Sequence, residues 1–148
     1  TGNVGINTDT PETRLDVNGD VTVRDGGVLA SHIVERVGVL TASSTTNIDC
    51  SLGSYFYIYL NSNIGTLNIL NVPRVSSSQD HNPEVFVLVL RIFRDNNATI
   101  YWPTFIDWPN GTAPELVNAR NNVVTLIRDS SLTTSNKWLG TIAGVGYA

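Results

Sequence analysis

The chain has no methionine, one cysteine, one lysine and few charges of either sign. Charged residues fill 15% of its 148 positions, against a usual fraction of about 25%. The net charge of -4 and the single Lys137, with eight scattered arginines, leave no basic patch. That excludes the usual electrostatic footprint of nucleic-acid binding. No run approaches the ~18 apolar residues of a membrane span, so membrane insertion is not expected. No basic stretch precedes a short apolar one, so no secretory leader is expected in the sequence given. Met is missing even at position 1, so a fragment or processed product of a longer chain is expected.

The lone Cys50 cannot form an intrachain disulfide and has no metal-ligating residues at suitable spacing. It reads as a small apolar core residue. His32 and His81 are isolated. Asp16-Val17-Asn18-Gly19-Asp20 looks like half a calcium loop, but the later oxygen ligands and closing Glu are missing. No metal site and no cofactor is expected. Nucleophile elbows, phosphate loops and Ser-His-Asp sets are also lacking. The carboxylates Glu84, Asp95, Asp107 and Glu115 are the only candidates for hydrolytic chemistry in the main module, so the chain does not read as an enzyme.

What is present is apolar content, 41% of the residues, in short strand-like runs. Val4 and Ile6 flank Gly5, Leu15 and Val17 flank Asp16, and Val21 and Val23 flank Thr22. Period-2 alternation gives a strand one apolar face. Asn18-Gly19 between two such runs predicts a type I′ hairpin. Six small apolar side chains, at ~25 cal/mol per Å² buried, do not offset an ordering cost of ~1–2 kcal/mol per residue. Residues 1–27 are therefore expected to fold only against copies of themselves. The joint is Asp25-Gly26-Gly27.

Residues 28–148 read as a second unit, a series of strands with Asn, Gly and Pro turns. Strands are predicted over 32–41, 46–50, 54–60, 66–72, 84–94, 98–102, 121–128 and 137–143. The run Val85-Phe86-Val87-Leu88-Val89-Leu90 is apolar enough for a strand covered on both faces, or for the centre of a sandwich. No convincing amphipathic helix is found. The class is all-β, an antiparallel, jelly-roll-like β-sandwich head behind a short intertwined β-shaft.

Three candidate surfaces follow. Tyr55, Tyr57 and Tyr59 share one strand face, with Phe56, Ile58 and Leu60 on the other. The tyrosine side is either covered by another chain or loop, or an aromatic platform for sugar rings. Trp102, Trp108 and Trp138 either cap the core or stack on sugars, and Pro103 and Pro109 place the first two at a bend or edge. The polar loops 74–82, 107–114 and 129–136 are candidate contact loops. They carry Ser77, Asp80, Asp107, Asn110 and Ser131.

Two stretches carry a family likeness. Gly2-Asn3-Val4-Gly5-Ile6-Asn7-Thr8, then Pro11 and Arg14-Leu15-Asp16-Val17-Asn18-Gly19, resembles a repeat of phage tail-fibre proteins. Asn7 stands where that repeat usually has glycine, and Arg14 where it has lysine. From about Val39 onward the chain resembles a C-terminal module of phage structural and tail-fibre proteins, notably of marine and cyanobacterial phages. The residues that carry this are Tyr55-Phe56, Leu60-Asn61-Ser62-Asn63, Trp102-Pro103, Trp108, Gly111-Thr112-Ala113-Pro114, Trp138-Leu139-Gly140 and Ala143-Gly144. Family members tend to have Asp-Gly-Gly-Thr-Thr-Trp before the last strand, where this chain has the longer 129–138. The resemblance implies a virion fibre, a homotrimer on the outer face of a virus particle. Its expected partner is a host-surface glycan or protein, and the alternative is a structural cap or decoration with no receptor.

Overall fold

The computed structural model describes residues 2–19, 21, 23, 27–73, 85–129 and 137–148. The chain forms two compact units, Thr1–Val34 and Glu35–Ala148.

The first unit holds two three-residue strands, β1 (Val4–Ile6) and β2 (Leu15–Val17). They pair in parallel, Val4 with Leu15 and Ile6 with Val17. The crossover between them is tied down locally. Asn3 Nδ2 donates to the Pro11 carbonyl, Asn7 Nδ2 to the Asn18 carbonyl, and the Glu12 amide to Asp16 Oδ2. Asn7 has φ +58°, a left-handed conformation that Asn tolerates better than other residues with a Cβ. A Cβ on Gly5 would lie 2.5 Å from the Thr8 carbonyl oxygen, so the turn requires glycine there.

The expected type I′ hairpin is not formed. That turn needs positive φ at both central residues. Asn18 does not have it, and Gly19 sits at φ +154°. Instead the Asn18 amide donates to the Ile6 carbonyl and extends the parallel ladder. Val21 and Val23 lie outside any strand.

The second unit is β-structure with two short 3-10 turns. Its strands are β3 (Val37–Thr41), β4 (Thr45–Asp49), β5 (Tyr55–Leu60), β6 (Thr66–Leu70), β7 (Val85–Arg94), β8 (Ile106–Asp107), β9 (Arg120–Asp129) and β10 (Trp138–Tyr147). A six-stranded sheet has the order β3-β5-β7-β9-β10-β8, and β4 and β6 form a second, two-stranded sheet. All-β architecture is thus observed, but the pairing is mixed and not antiparallel throughout. β3, β5 and β7 run parallel, and so do β4 and β6. Only β7, β9 and β10 form antiparallel pairs.

The parallel half is a wound coil. The chain passes from the large sheet to the small one and back, so the turns at 42–44 and 50–54 are corners and not hairpins. Val37 pairs with Tyr55 and Thr45 with Thr66, so one circuit takes 18 to 21 residues. Side chains ladder between circuits: Asn68 Nδ2 donates to Asn47 Oδ1 and Asn71 Nδ2 to Asp49 Oδ1, both at 2.9 Å. Ile64 bridges Ile100 in parallel and begins a third circuit.

The core lies inside this winding. Phe56, Ile58 and Leu60 of β5 join Leu88, Leu90 and Ile92 of β7, and Ile48 and Leu67 of the small sheet complete the cluster. Cys50 is buried in it, as its isolation predicts. Gly38 faces Phe56 across the ladder, where a Cβ would stand 2.3 Å from the ring. Loss of that Cβ is what lets the fully buried Phe56 fill the first circuit.

Candidate functional site

The row Tyr55, Tyr57 and Tyr59 sits on the outer face of the six-stranded sheet, half-buried, opposite the buried Phe56, Ile58 and Leu60. The alternation of β5 therefore sorts the two faces as its sequence predicts. Register extends the tyrosine rows across the sheet. Val37, Tyr55, Val89, Thr125 and Thr141 form one row, and Val39, Tyr57, Arg91 and Val123 the next. Val87, Ile127 and Leu139 form a third. Asp107 ends the third row opposite Leu139, and in the second row the Arg91 guanidinium lies over the Tyr57 ring at 4.4 Å from the centroid, where the ring quadrupole attracts it. The β7 run is covered on its inner face alone: Leu88 and Leu90 are buried, while Val85 and Val87 are exposed. A strand this apolar was expected to be covered on both sides or to form the centre of a sandwich.

Tyr59 differs from its neighbours. Its hydroxyl donates to Asp95 Oδ2 at 2.8 Å. That hydrogen bond, together with the Asp95 charge, raises the phenol above its ordinary value of 10.0. Tyr59 and Asp95 are thus held by each other.

The tryptophans gather at the other side of the unit. Trp138 is buried and meets Phe86 edge to face at 6.1 Å. Trp102 and Trp108 are half-buried, edge to face at 5.1 Å, and pack on the core. Gly140 gives Trp108 its place, since a Cβ there would stand 2.5 Å from the indole. Trp102 also walls a cleft of about 200 Å³ with Arg94, Thr99, Pro114 and Glu115. The Arg94 guanidinium is taken up by the carbonyls of Asn97, Ala98 and Leu116. It clamps the surrounding loops and is not offered to a ligand.

Of the loop candidates, Asp107 pairs with Lys137 at 2.9 Å, with both side chains nearly half exposed. Asn110, exposed at φ +58°, turns the 3-10 segment Pro109–Gly111 beside Trp108. Ser77, Asp80, Ser131, Glu84 and His81 lie outside the described residues. Asp107, Trp108 and Asn110 therefore follow one another through one turn, and Asp107, opposite Leu139, stands at the margin of the sheet face that carries the three tyrosines.

Two features were not picked out in the sequence. Asn122 is fully buried in a core row with Leu40, Ile58 and Ile92. Its Oδ1 accepts from the Val117 amide, and its Nδ2 is directed at the carbonyls of Ile92, Val117 and Arg120. A polar residue directly preceding Val124 and Leu126 on the inward parity of β9 was the available signal. The second is the breadth of the outer face, which depends on register between distant segments.

Burial pushes the Cys50 thiol up to about 11, which keeps it protonated and unreactive at neutral pH. Among the described residues no group of three metal-ligating side chains forms, and no helix is long and apolar enough to cross a membrane. What the surfaces offer chemically is contact: aromatic and aliphatic area, and a polar turn. Comparison with family models, curated proteins and solved structures finds no match for this chain.

Proposed function

We propose that this chain is the distal part of a trimeric virion fibre that attaches the particle to a host-surface glycan or protein. The observation that carries this reading is the exposure of the first unit. Every described Val, Leu and Ile from Val4 to Val34 is exposed except the half-buried Val17, and Leu29 is bare. A monomer gains almost nothing from ordering such a segment. Copies that pack these side chains together do gain, and the shaft-repeat likeness of residues 2–19 points the same way. The attachment surface is the turn that holds Asp107, Trp108 and Asn110, together with the candidate loops 74–82 and 129–136. Three weak sites per fibre raise avidity well beyond a single contact. The chain works by binding and carries out no turnover.

A second reading, a structural cap without a receptor, is favoured by one observation: Asp107 and Trp108 already have partners within the chain, Lys137 for the first and Trp102 for the second. Light scattering on the chain tests the assembly and is expected to give three times 16.1 kDa. A monomer at micromolar concentration refutes the fibre reading. A glycan array probed with the same material separates the two readings. Binding that is lost in Trp108→Ala supports attachment, and no binding to host surfaces supports the cap.

A further inference from the structure

The outer face of the six-stranded sheet has the size, composition and setting of a subunit contact. Its five main strands run 5, 6, 10, 10 and 10 residues. At ~4.8 Å between strands and ~3.3 Å per residue they span roughly 24 Å by 27 Å, about 650 Å² in projection. One partner in a standard protein interface gives up about 800 Å² of accessible surface. The rows around Tyr57 hold valine, isoleucine, leucine, threonine and tyrosine, with Arg91 stacked on Tyr57. Charged residues sit at the margins, Asp129 opposite Val85 and Asp107 opposite Leu139. Apolar centres with charged rims are the usual anatomy of an interface.

The setting is more telling. All-parallel sheets occur almost only with both faces covered, whereas antiparallel ones can leave a face to water. Here β3, β5 and β7 are parallel, and their outer face is open: Val39 is 70% exposed, Val37 52% and Val87 42%. We infer that a second copy of this chain covers it, so that the tyrosine rows of neighbouring copies pack together across the sheet. The occupant is a copy because Val28, Leu29, Ile33, Val34, Val37 and Val39 are all exposed, so the apolar surface assigned above to contact between copies continues in sequence onto this face. The interface is then one surface of the assembly proposed above, and it rests on that reading. It removes Tyr57 from any role as a sugar platform.

Two full-chain variants, Val39→Glu and Val87→Glu, test the contact, with circular dichroism confirming that each folds. Wild-type chain needs no substitution for the second measurement, nitration of Tyr57 followed over a dilution series. The expected results are an association at least tenfold weaker in each variant, and Tyr57 nitration that falls as wild-type concentration rises. A third probe is Val39→Cys, compared with Asn68→Cys on the small sheet. The buried Cys50 does not compete for reagent, and a short bifunctional cross-linker is expected to join copies through position 39 alone. A wild-type oligomer in which Tyr57 reacts equally at all concentrations, with both glutamate variants unaffected, overturns this contact and leaves the fibre reading standing. A monomeric wild type overturns both.

Discussion

Asn122 is the position where a single substitution separates hydrogen bonding from packing most cleanly. Its amide sits among isoleucines and supplies the Val117 amide with its partner at 2.8 Å. It also shares two hydrogens among three carbonyls, at 3.0 to 3.3 Å. Replacing it with Leu keeps the branched arrangement of heavy atoms, with bulkier methyl groups, but leaves those backbone groups unpaired. A buried polar group without a partner costs ~1–3 kcal/mol. One amide fully orphaned and carbonyls partly so give an expected loss of about 2–3 kcal/mol for Asn122→Leu. Asn122→Ala adds a small cavity and is expected to lose more. The measurement is urea unfolding at fixed protein concentration, because association shifts the apparent stability. The midpoint falls while the slope stays constant. On heating, a domain of this size loses ~2–4 °C per kcal/mol, so Tm drops by roughly 5–10 °C. Asn122→Leu within ~0.5 kcal/mol of wild type would refute the reasoning: the row would then need volume at that place and not an amide.

Gly38→Ala is expected to destabilise by ~1–3 kcal/mol through overpacking, since the new Cβ meets the Phe56 ring; urea midpoints check it. The Tyr59 phenol titrates above its ordinary value, so its bond to Asp95 contributes stability that is present below about pH 10 and lost as pH rises through the folded value. Tyr59→Phe is expected to remove this alkaline step, read by tyrosinate absorbance and melting against pH. Asp49 behaves in the opposite sense. Bonds from Ser51, then Asn71, hold its carboxyl below 3.8, so its contribution is present above that value and lost as pH falls through the folded one. Asp49→Asn is expected to flatten the acid limb of the same melting profile. Cys50 is expected to stay unalkylated at neutral pH in the folded chain and to react at once in urea, as mass spectrometry would record.

Strand positions were legible in the sequence because alternation is a local property. β5, β6, β7 and β9 fall within a residue or two of their predicted bounds, and Phe56, Ile58 and Leu60 face inward as their parity requires. Strand direction was not legible. A corner such as Ala42–Ser44 and a hairpin use the same small polar residues, and only the partner strand tells them apart. The hairpin expected at Asn18-Gly19 failed for a related reason. The dipeptide favours a type I′ turn, but pairing of β2 with β1 draws the Asn18 amide into a ladder instead. At the candidate site the aromatic rows could be drawn up from spacing alone. Arg91 over Tyr57, Asp95 on Tyr59 and Asn122 beside Ile92 depend on registers between segments thirty or more residues apart, which no local pattern encodes.

The wound half of the second unit carries a consequence for how such a protein changes length. Each circuit leans chiefly on the one before and the one after, so its stability is close to a sum of repeats and neighbour terms. A further circuit of about twenty residues, laid beside β3 and β4, would find an edge of matching spacing already waiting on both sheets. The first circuit is therefore where the molecule can grow, and also where it unravels first. On gentle heating, the amides of Val37–Thr41 and Thr45–Asp49 should exchange before those of β7 and β9, which are flanked on both sides.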